Sequence, residues 1–210
     1  MRLYIATSNP GKLRDFAHAA KAFPHVEILP LPGLNQIPAP EETADTFLGN
    51  ATLKALAYST LLPDEIVLAD DSGIVVPALG GQPGVRSARY ADDLAFPGSG
   101  STDQRNLDCL LAQTAHLHRT EAHYTAVIAA ARQGQIVATA RGQVHGTLLN
   151  APCGTSGFGY DPIFYLPELD LTMAEIDMDT RLKISHRGRA LASLLSTLPS
   201  SHAVTAQSQR

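Results

Sequence analysis

The chain is poor in the features that mark several common function classes. Only two cysteines, Cys109 and Cys153, occur among 210 residues. Neither sits in a CxxC pair, so no zinc site is expected, and so few thiols suit a reducing compartment. Cys109 falls in an apolar helical pattern and reads as packing. The net charge is −4. No basic stripe is visible, and proteins that grip nucleic acid by its backbone carry one. The largest basic group is Arg181, Lys183, Arg187 and Arg189, enough for one small polyanion but thin for a duplex. No apolar run approaches the length that crosses a bilayer. The start, MRLYIATSNPGK, is too short in its apolar part for a signal peptide. A soluble cytoplasmic protein is expected. The phosphate-binding pattern GxxxxGK[ST] is also missing. What remains is an ordinary globular composition, 44% hydrophobic and 17% charged, with room for one good-sized domain or two lobes sharing a cleft.

Periodicity outlines an α/β fold. Residues 2–7 read as a buried strand, 11–23 as a helix and 26–29 as a second strand, a unit that makes the first strand pair parallel. Four prolines between 30 and 42 impose loop. Thr43 or Asp45 caps a helix over about 45–62. A buried strand over 66–69 stops at Asp70-Asp71-Ser72-Gly73, and 80–100 reads largely as loop. Ser101 with Gln104 has the form of a capping box and opens a helix to about Ala115. Residues 122–131 and 134–145 form a long antiparallel hairpin. A short strand follows at 162–165, Thr172 starts a brief helix, and Ser185 caps a last helix over 186–197. The expected whole is an elongated, two-lobed mixed sheet with flanking helices and an active-site cleft between the lobes. Residues 1–198 form that single domain, and 199–210 are a polar, flexible tail.

Four segments carry chemistry. Thr7, Ser8, Asn9, Pro10, Gly11 and Lys12 join a strand to a helix start, where backbone N–H groups and a lysine attract anions. Asp70 and Asp71 lie near the end of an apolar run. Paired carboxylates need a cation beside them, and oxygen ligands there suit Mg²⁺. Glu41 and Glu42 are further candidates for that acidic cluster. Lys54, on the helix after them, reaches for phosphate or for solvent. In GFGYDPIF, Gly157 and Gly159 flank Phe158. Phe158 or Tyr160 can stack on a base, and Asp161 either accepts from ring N–H groups or holds the loop. In SHRGRAL, His186 and Arg187 occupy the first turn of a helix, a place where cations are tolerated best beside an anion. Singly, each segment is also a plain capped turn. Together they describe a site for a purine nucleoside triphosphate and a metal.

The pieces ATSNPGKLRDF, EET…F…NA…KA, LADDSGI, LGGQPGVRSARYA, GFGYDPIF and SHRGRAL run in one order from residue 5 to 195. On them the chain resembles the inosine triphosphate pyrophosphatase family. The resemblance implies Mg²⁺-dependent hydrolysis of dITP, ITP or XTP to the monophosphate and pyrophosphate, usually by a homodimer. It implies phosphate binding by Thr7 to Lys12 and Lys54. Asp71 would be general base and metal ligand, with Asp70, Glu41 and Glu42 completing the acidic cluster. Ser72 would touch substrate, and Phe158, Gly159, Tyr160, Asp161, His186 and Arg187 would form the base pocket. One position departs from the pattern. The family usually has a lysine five residues before the histidine of SHR, where this chain has Arg181, and a lysine stands instead at Lys183. Either could take that role. A related pyrophosphatase of other base specificity, the Maf-like type, and a nucleotide-binding module without turnover are the competing readings. GFGYDP and SHR point away from the first, and the acids point away from the second.

Overall fold

The computed structural model describes residues 1–117 and 120–198. The expected tail at 199–210 lies outside the described residues. Strand β1 (Arg2–Ile5), helix α1 (Pro10–Ala19) and strand β2 (Glu27–Pro30) make the expected parallel unit. Asn9 starts α1: its side-chain oxygen accepts from the N–H groups of Gly11 and Lys12, at 2.8 and 3.2 Å. Pro10 fits the first turn, where its missing N–H has no helical partner to lose. Helix α2 (Phe47–Ser59) is capped by Thr46, and neither Thr43 nor Asp45 has that role. The reason lies in Asn50, whose side-chain oxygen accepts from Ala44 N–H at 3.0 Å and folds the preceding segment back over the helix.

Strand β3 (Ile66–Val75) runs ten residues, straight through the acid pair that was expected to end it. Strand β4 (Thr120–Arg132) pairs with it antiparallel from Val67↔Ala131 to Val75↔His123, and this long-range partner carries the strand past its polar residues. Within the expected 80–100 loop, Gly84–Arg89 is a 3₁₀ segment and Tyr90–Asp93 a short helix, α3. Helix α4 (Thr102–Thr114) begins at Ser101 as expected, with the Ser101 hydroxyl accepting from Gln104 N–H. Strands β4 and β5 (Gln135–Leu148) form the expected hairpin. Its turn residues Gln133 and Gly134 both have left-handed φ, 52° and 70°, which matches the twist of the strands.

Strand β6 (Phe164–Leu166) and strand β7 (Leu171–Thr172) follow. Thr172 therefore pairs with Tyr165 and starts no helix. The next helix, α5 (Met178–Ile184), begins at Asp177, whose carboxylate accepts from Thr180 N–H. Ser185 caps the last helix, α6 (His186–Thr197), as expected. The sheet order is β2-β1-β3-β4-β5-β6-β7. Both cysteines are free, with Cys109 buried and Cys153 exposed.

The core divides along the hairpin. Near β1, helix α6 lays Ala190, Leu191 and Leu194 on Ala126, Ile128 and Ala130 of one face. Helix α2 lays Ala51 and Ala55 on Ala69, Val127 and Ala129 of the other. At the far end, Leu110, Tyr124, Val144, Tyr160 and Phe164 form a separate apolar cluster. The alanines let helices approach the strands closely. Gly142 of β5 is the tightest such point, because a Cβ there would collide with the His186 carbonyl and the Ala190 amide of α6. Backbone cannot yield as a side chain does. Gly142→Ala is expected to cost about 1–3 kcal/mol, seen as a lower midpoint in a urea melt.

Candidate active site

Strand β1 is too short to cover β3. It pairs only from Leu3↔Ile66 to Ile5↔Leu68. Further along, Ser87 closes on the same strand, its hydroxyl accepting from Ile74 N–H at 3.0 Å. Between these two closures lies Asp70-Asp71-Ser72, whose backbone on that side is paired by neither β1 nor Ser87. Successive residues of a strand point to opposite faces. Asp70, in register with Ile128, therefore points to the α6 face, and Asp71, in register with Val127, to the α2 face.

Each acid has its own lysine. Lys12 Nζ lies 2.9 Å from Asp70 Oδ2, and Arg187 Nε lies 3.7 Å from the same oxygen. Burial pushes the Asp70 carboxyl up, but Lys12, Arg187 and Lys54 outweigh it and hold the carboxyl below its usual range. The same burial, with Arg187 and Lys54 nearby, brings Lys12 below the usual lysine value. On the other face, Lys54 Nζ lies 2.7 Å from Glu42 Oε1 and 3.5 Å from Asp71 Oδ1. Asn50 donates to Asp71 Oδ2 at 3.2 Å. Burial raises the Asp71 carboxyl, Lys54 pulls it down and Glu42 pushes it up again, for a net upward shift. Glu42 itself is held below its usual value, since Lys54 and Arg89 together outweigh its burial.

The four acids expected as one cluster are thus not gathered. Glu42 and Asp71 converge on Lys54, Asp70 turns to the other face, and Glu41 is exposed with no ion pair among the described residues. Glu42 and Asp71 form an all-oxygen pair around one cationic position. That donor set fits Mg²⁺, which uses one or two carboxylates and completes its shell with water and phosphate oxygens.

A second wall stands beside Asp70. Arg187 donates to Ser72 Oγ at 3.0 Å and to Asp15 Oδ2 at 3.2 Å. His186 is 3% exposed, and among the described residues neither ring nitrogen has a hydrogen-bond partner. Its ring stacks on Tyr124 at 4.7 Å, nearly parallel. Burial lowers its pKa well below the usual value, and Arg187, Lys12 and Arg181 lower it further, so the imidazole is neutral. Phe158 crosses from the far end of the molecule to this wall. Its ring edge packs on Gly11, where a Cβ would come within 2.7 Å of it, and the Arg187 guanidinium lies 5.1 Å from its centroid.

Several expected site residues have other partners. Asn9 spends its side-chain oxygen on the α1 cap, and Thr7 Oγ1 accepts from Asn9 N–H. Ser8 and Pro10 are exposed at that turn. Tyr160 is a core residue whose hydroxyl donates to the Ser87 carbonyl at 2.8 Å, so it offers no stacking face. Gly159 N–H donates to Asp103. Asp161 accepts from Tyr124 hydroxyl, Phe158 N–H and Arg181, which makes it a loop holder. Lys183 is exposed, whereas Arg181 is buried beside Asp161. Asp15, Tyr124 and Arg89 also belong to the site, and none was singled out from the sequence. Only Asp15 left a signal, as a charge one step from Phe16 on the buried side of α1.

Residues 3–197 match the Ham1 family. The chain belongs to the Ham1 family. Its relatives there include a dITP/XTP pyrophosphatase from Acidobacterium capsulatum, 54% identical over 201 residues that cover 95% of this chain and 98% of the relative. Another, of the same description, comes from Nautilia profundicola, with 42% identity, 91% of this chain and 94% of the relative. Among solved structures, a HAM1 protein from Coxiella burnetii superposes with a TM-score of 0.78 at 34% identity, covering 94% of this chain and 97% of that one. The Staphylococcus aureus Ham1 protein gives 0.76 at 36%, covering 92% and 95%. The mixed seven-stranded sheet with flanking helices is thus a Ham1 fold.

The buried neutral imidazole makes stability depend on pH. In the unfolded chain His186 takes up its proton near pH 6.5, while in the fold it resists protonation. As pH falls below about 6.5 the unfolded state binds more protons, so the folded state loses stability, by up to about 1.4 kcal/mol per pH unit. Raising the pH restores it. In urea melts from pH 7.5 to 5.5, His186→Phe is expected to show a shallower decline than the parent.

Proposed function

We propose that this Ham1 protein hydrolyses the triphosphates of deaminated purines, dITP, ITP and XTP, to the monophosphate and pyrophosphate. The observation that carries this reading is a juxtaposition at one edge of β3. Lysine-paired acids on both faces of the strand stand beside a buried imidazole that has no hydrogen-bond partner among the described residues. The first part suits a polyphosphate. The second suits a flat ligand with hydrogen-bonding edges, which would satisfy an otherwise costly buried group. The names of the relatives support the substrate class.

In this reading Lys12 and Lys54 hold the phosphate chain in line, and water attacks the α-phosphorus as pyrophosphate leaves. Asp71 takes the proton of that water. Burial and the nearby Glu42 shift its pKa upward, which makes it a better base than a free carboxylate. Asn50 orients its second oxygen. Asp70 neutralises Lys12 and Arg187 before substrate arrives. Glu42 and Asp71 would hold Mg²⁺, which when bound neutralises charge on the phosphates. Lys54 would then move from Glu42 towards phosphate.

On the base side, His186 and Arg187 face the ring edge, and Phe158 covers the ring. A guanidinium only donates, so a 6-oxo group finds a partner beside Arg187 and a 6-amino group meets another donor. Sites built this way reject the wrong partner strongly, because a buried group is left unpaired. We read residues 1–198 as one two-lobed unit that works as a homodimer on the cytoplasmic nucleotide pool. Among the described residues no helix is long and apolar enough to cross a membrane.

Pyrophosphate release tests the whole reading. With Mg²⁺, dITP and XTP should release it about 100-fold faster or more than dATP, whose 6-amino group meets a donor, at equal concentration. Equal rates on all three would remove the base-reading role, and no release from any would remove the enzyme. Asp71→Asn should lower turnover by about 10²–10⁴-fold with an unchanged melting temperature. Near-normal turnover would reassign the base.

A further inference from the structure

Resting on that reading, we propose that Arg181 is a positioning residue that sets the base pocket through Phe158 and touches neither phosphate nor base. Helix α5 buries it to 5% exposure. One guanidinium nitrogen lies 2.9 Å from Asp161 Oδ2, and that same oxygen accepts from Phe158 N–H at 3.0 Å. The Arg181 guanidinium carbon lies 5.6 Å from the centroid of the Phe158 ring. One side chain therefore fixes both the backbone and the ring of the residue that covers the pocket.

The loop is closed tightly onto this pair. Gly157 has φ 82°, and a Cβ there would collide with Asp161 Oδ2 and come within 2.6 Å of Arg181 Nη1. Gly159 is also left-handed, at φ 61°. Phe158 is thus presented by two glycines, anchored by Asp161 and flanked by Arg181 and Arg187. A forked planar cation can bond a carboxylate with one nitrogen while its face lies on an aromatic ring. A lysine ammonium is a point donor and has no face to lay on the ring. At this position arginine therefore makes the pocket cover stiffer than lysine would. The base is gripped by a ring whose place is already set.

A double-mutant cycle on dITP hydrolysis tests this, using Arg181→Lys, Phe158→Ala and the pair. Arg181→Lys alone is expected to raise KM about tenfold with kcat within about threefold, because substrate binding is weakened and the reacting groups are untouched. It should also narrow the gap in kcat/KM between dITP and dATP. In the Phe158→Ala background the same change should add almost nothing, since its effect runs through the ring. Additive effects in the pair would overturn the proposal and make Arg181 a direct ligand. So would a fall in kcat at unchanged KM, or no effect of Arg181→Lys at all. If Arg181→Lys loses its cooperative melt, Asp161→Asn combined with Arg181→Gln, which leaves no buried charge unpaired, carries the same comparison. A parent protein that binds inosine monophosphate in calorimetry but releases no pyrophosphate would sink the functional reading alone. The cycle would then be scored on that binding constant, with the same tenfold loss expected.

Discussion

The structure depends on a mismatch in strand length. Strand β1 has four residues and β3 has ten, so β3 outruns its parallel neighbour just before Asp70. Past that point β1 no longer pairs with β3, and the pleat sends adjacent carboxylates to opposite faces. Two buried acids next to each other in sequence would repel strongly in one environment. Here each is given a separate cation, Lys12 from α1 and Lys54 from α2. The two helices that flank the sheet are thereby tied to the same three residues.

This arrangement keeps the two acids chemically different. Asp70 sits in a network with Lys12, Arg187 and Ser72 and is held ionised. Asp71 shares Lys54 with Glu42 and is shifted upward. Neighbours with such separated environments can take separate roles, one structural and one in proton transfer. The base side follows the same economy of partners. Asp161, Arg181, Tyr124 and Phe158 satisfy one another, and His186 alone among them is left without a hydrogen bond in the described structure. In the proposed function a ligand edge would meet this ring.

Much of the fold was legible because its signals are local. The Ser101 and Ser185 caps, the hairpin turn at Gln133-Gly134 and the parallel first unit all follow from residues close in sequence. The errors came where a distant partner overrode a local signal. The strand through Asp70 and Asp71 exists because β4 pairs along it. Thr172 is a strand residue because β6 is beside it, and Thr46 caps α2 because Asn50 pulls Ala44 back. The site was legible as four segments, but their partners were not. Tyr160 looked like a stacking ring and is a core residue. Asp161 could have read a base and instead holds a loop. Tyr124, which supports His186, lies in an apolar strand run and carries no mark of its role.

Composition and order of motifs were enough for the α/β class, the family resemblance and the residue types of the site, because glycine turns, caps and periodic apolar faces act over a few residues. Which glutamate shares Lys54 with Asp71, whether Arg181 or Lys183 is buried beside Asp161, and which acid meets which lysine required the assembled fold. Those choices turn on the pleat of β3, the reach of α5 and the crossing of Phe158 onto Gly11. Each brings together groups separated by tens to well over a hundred positions in the chain, and burial then decides which charges must pair.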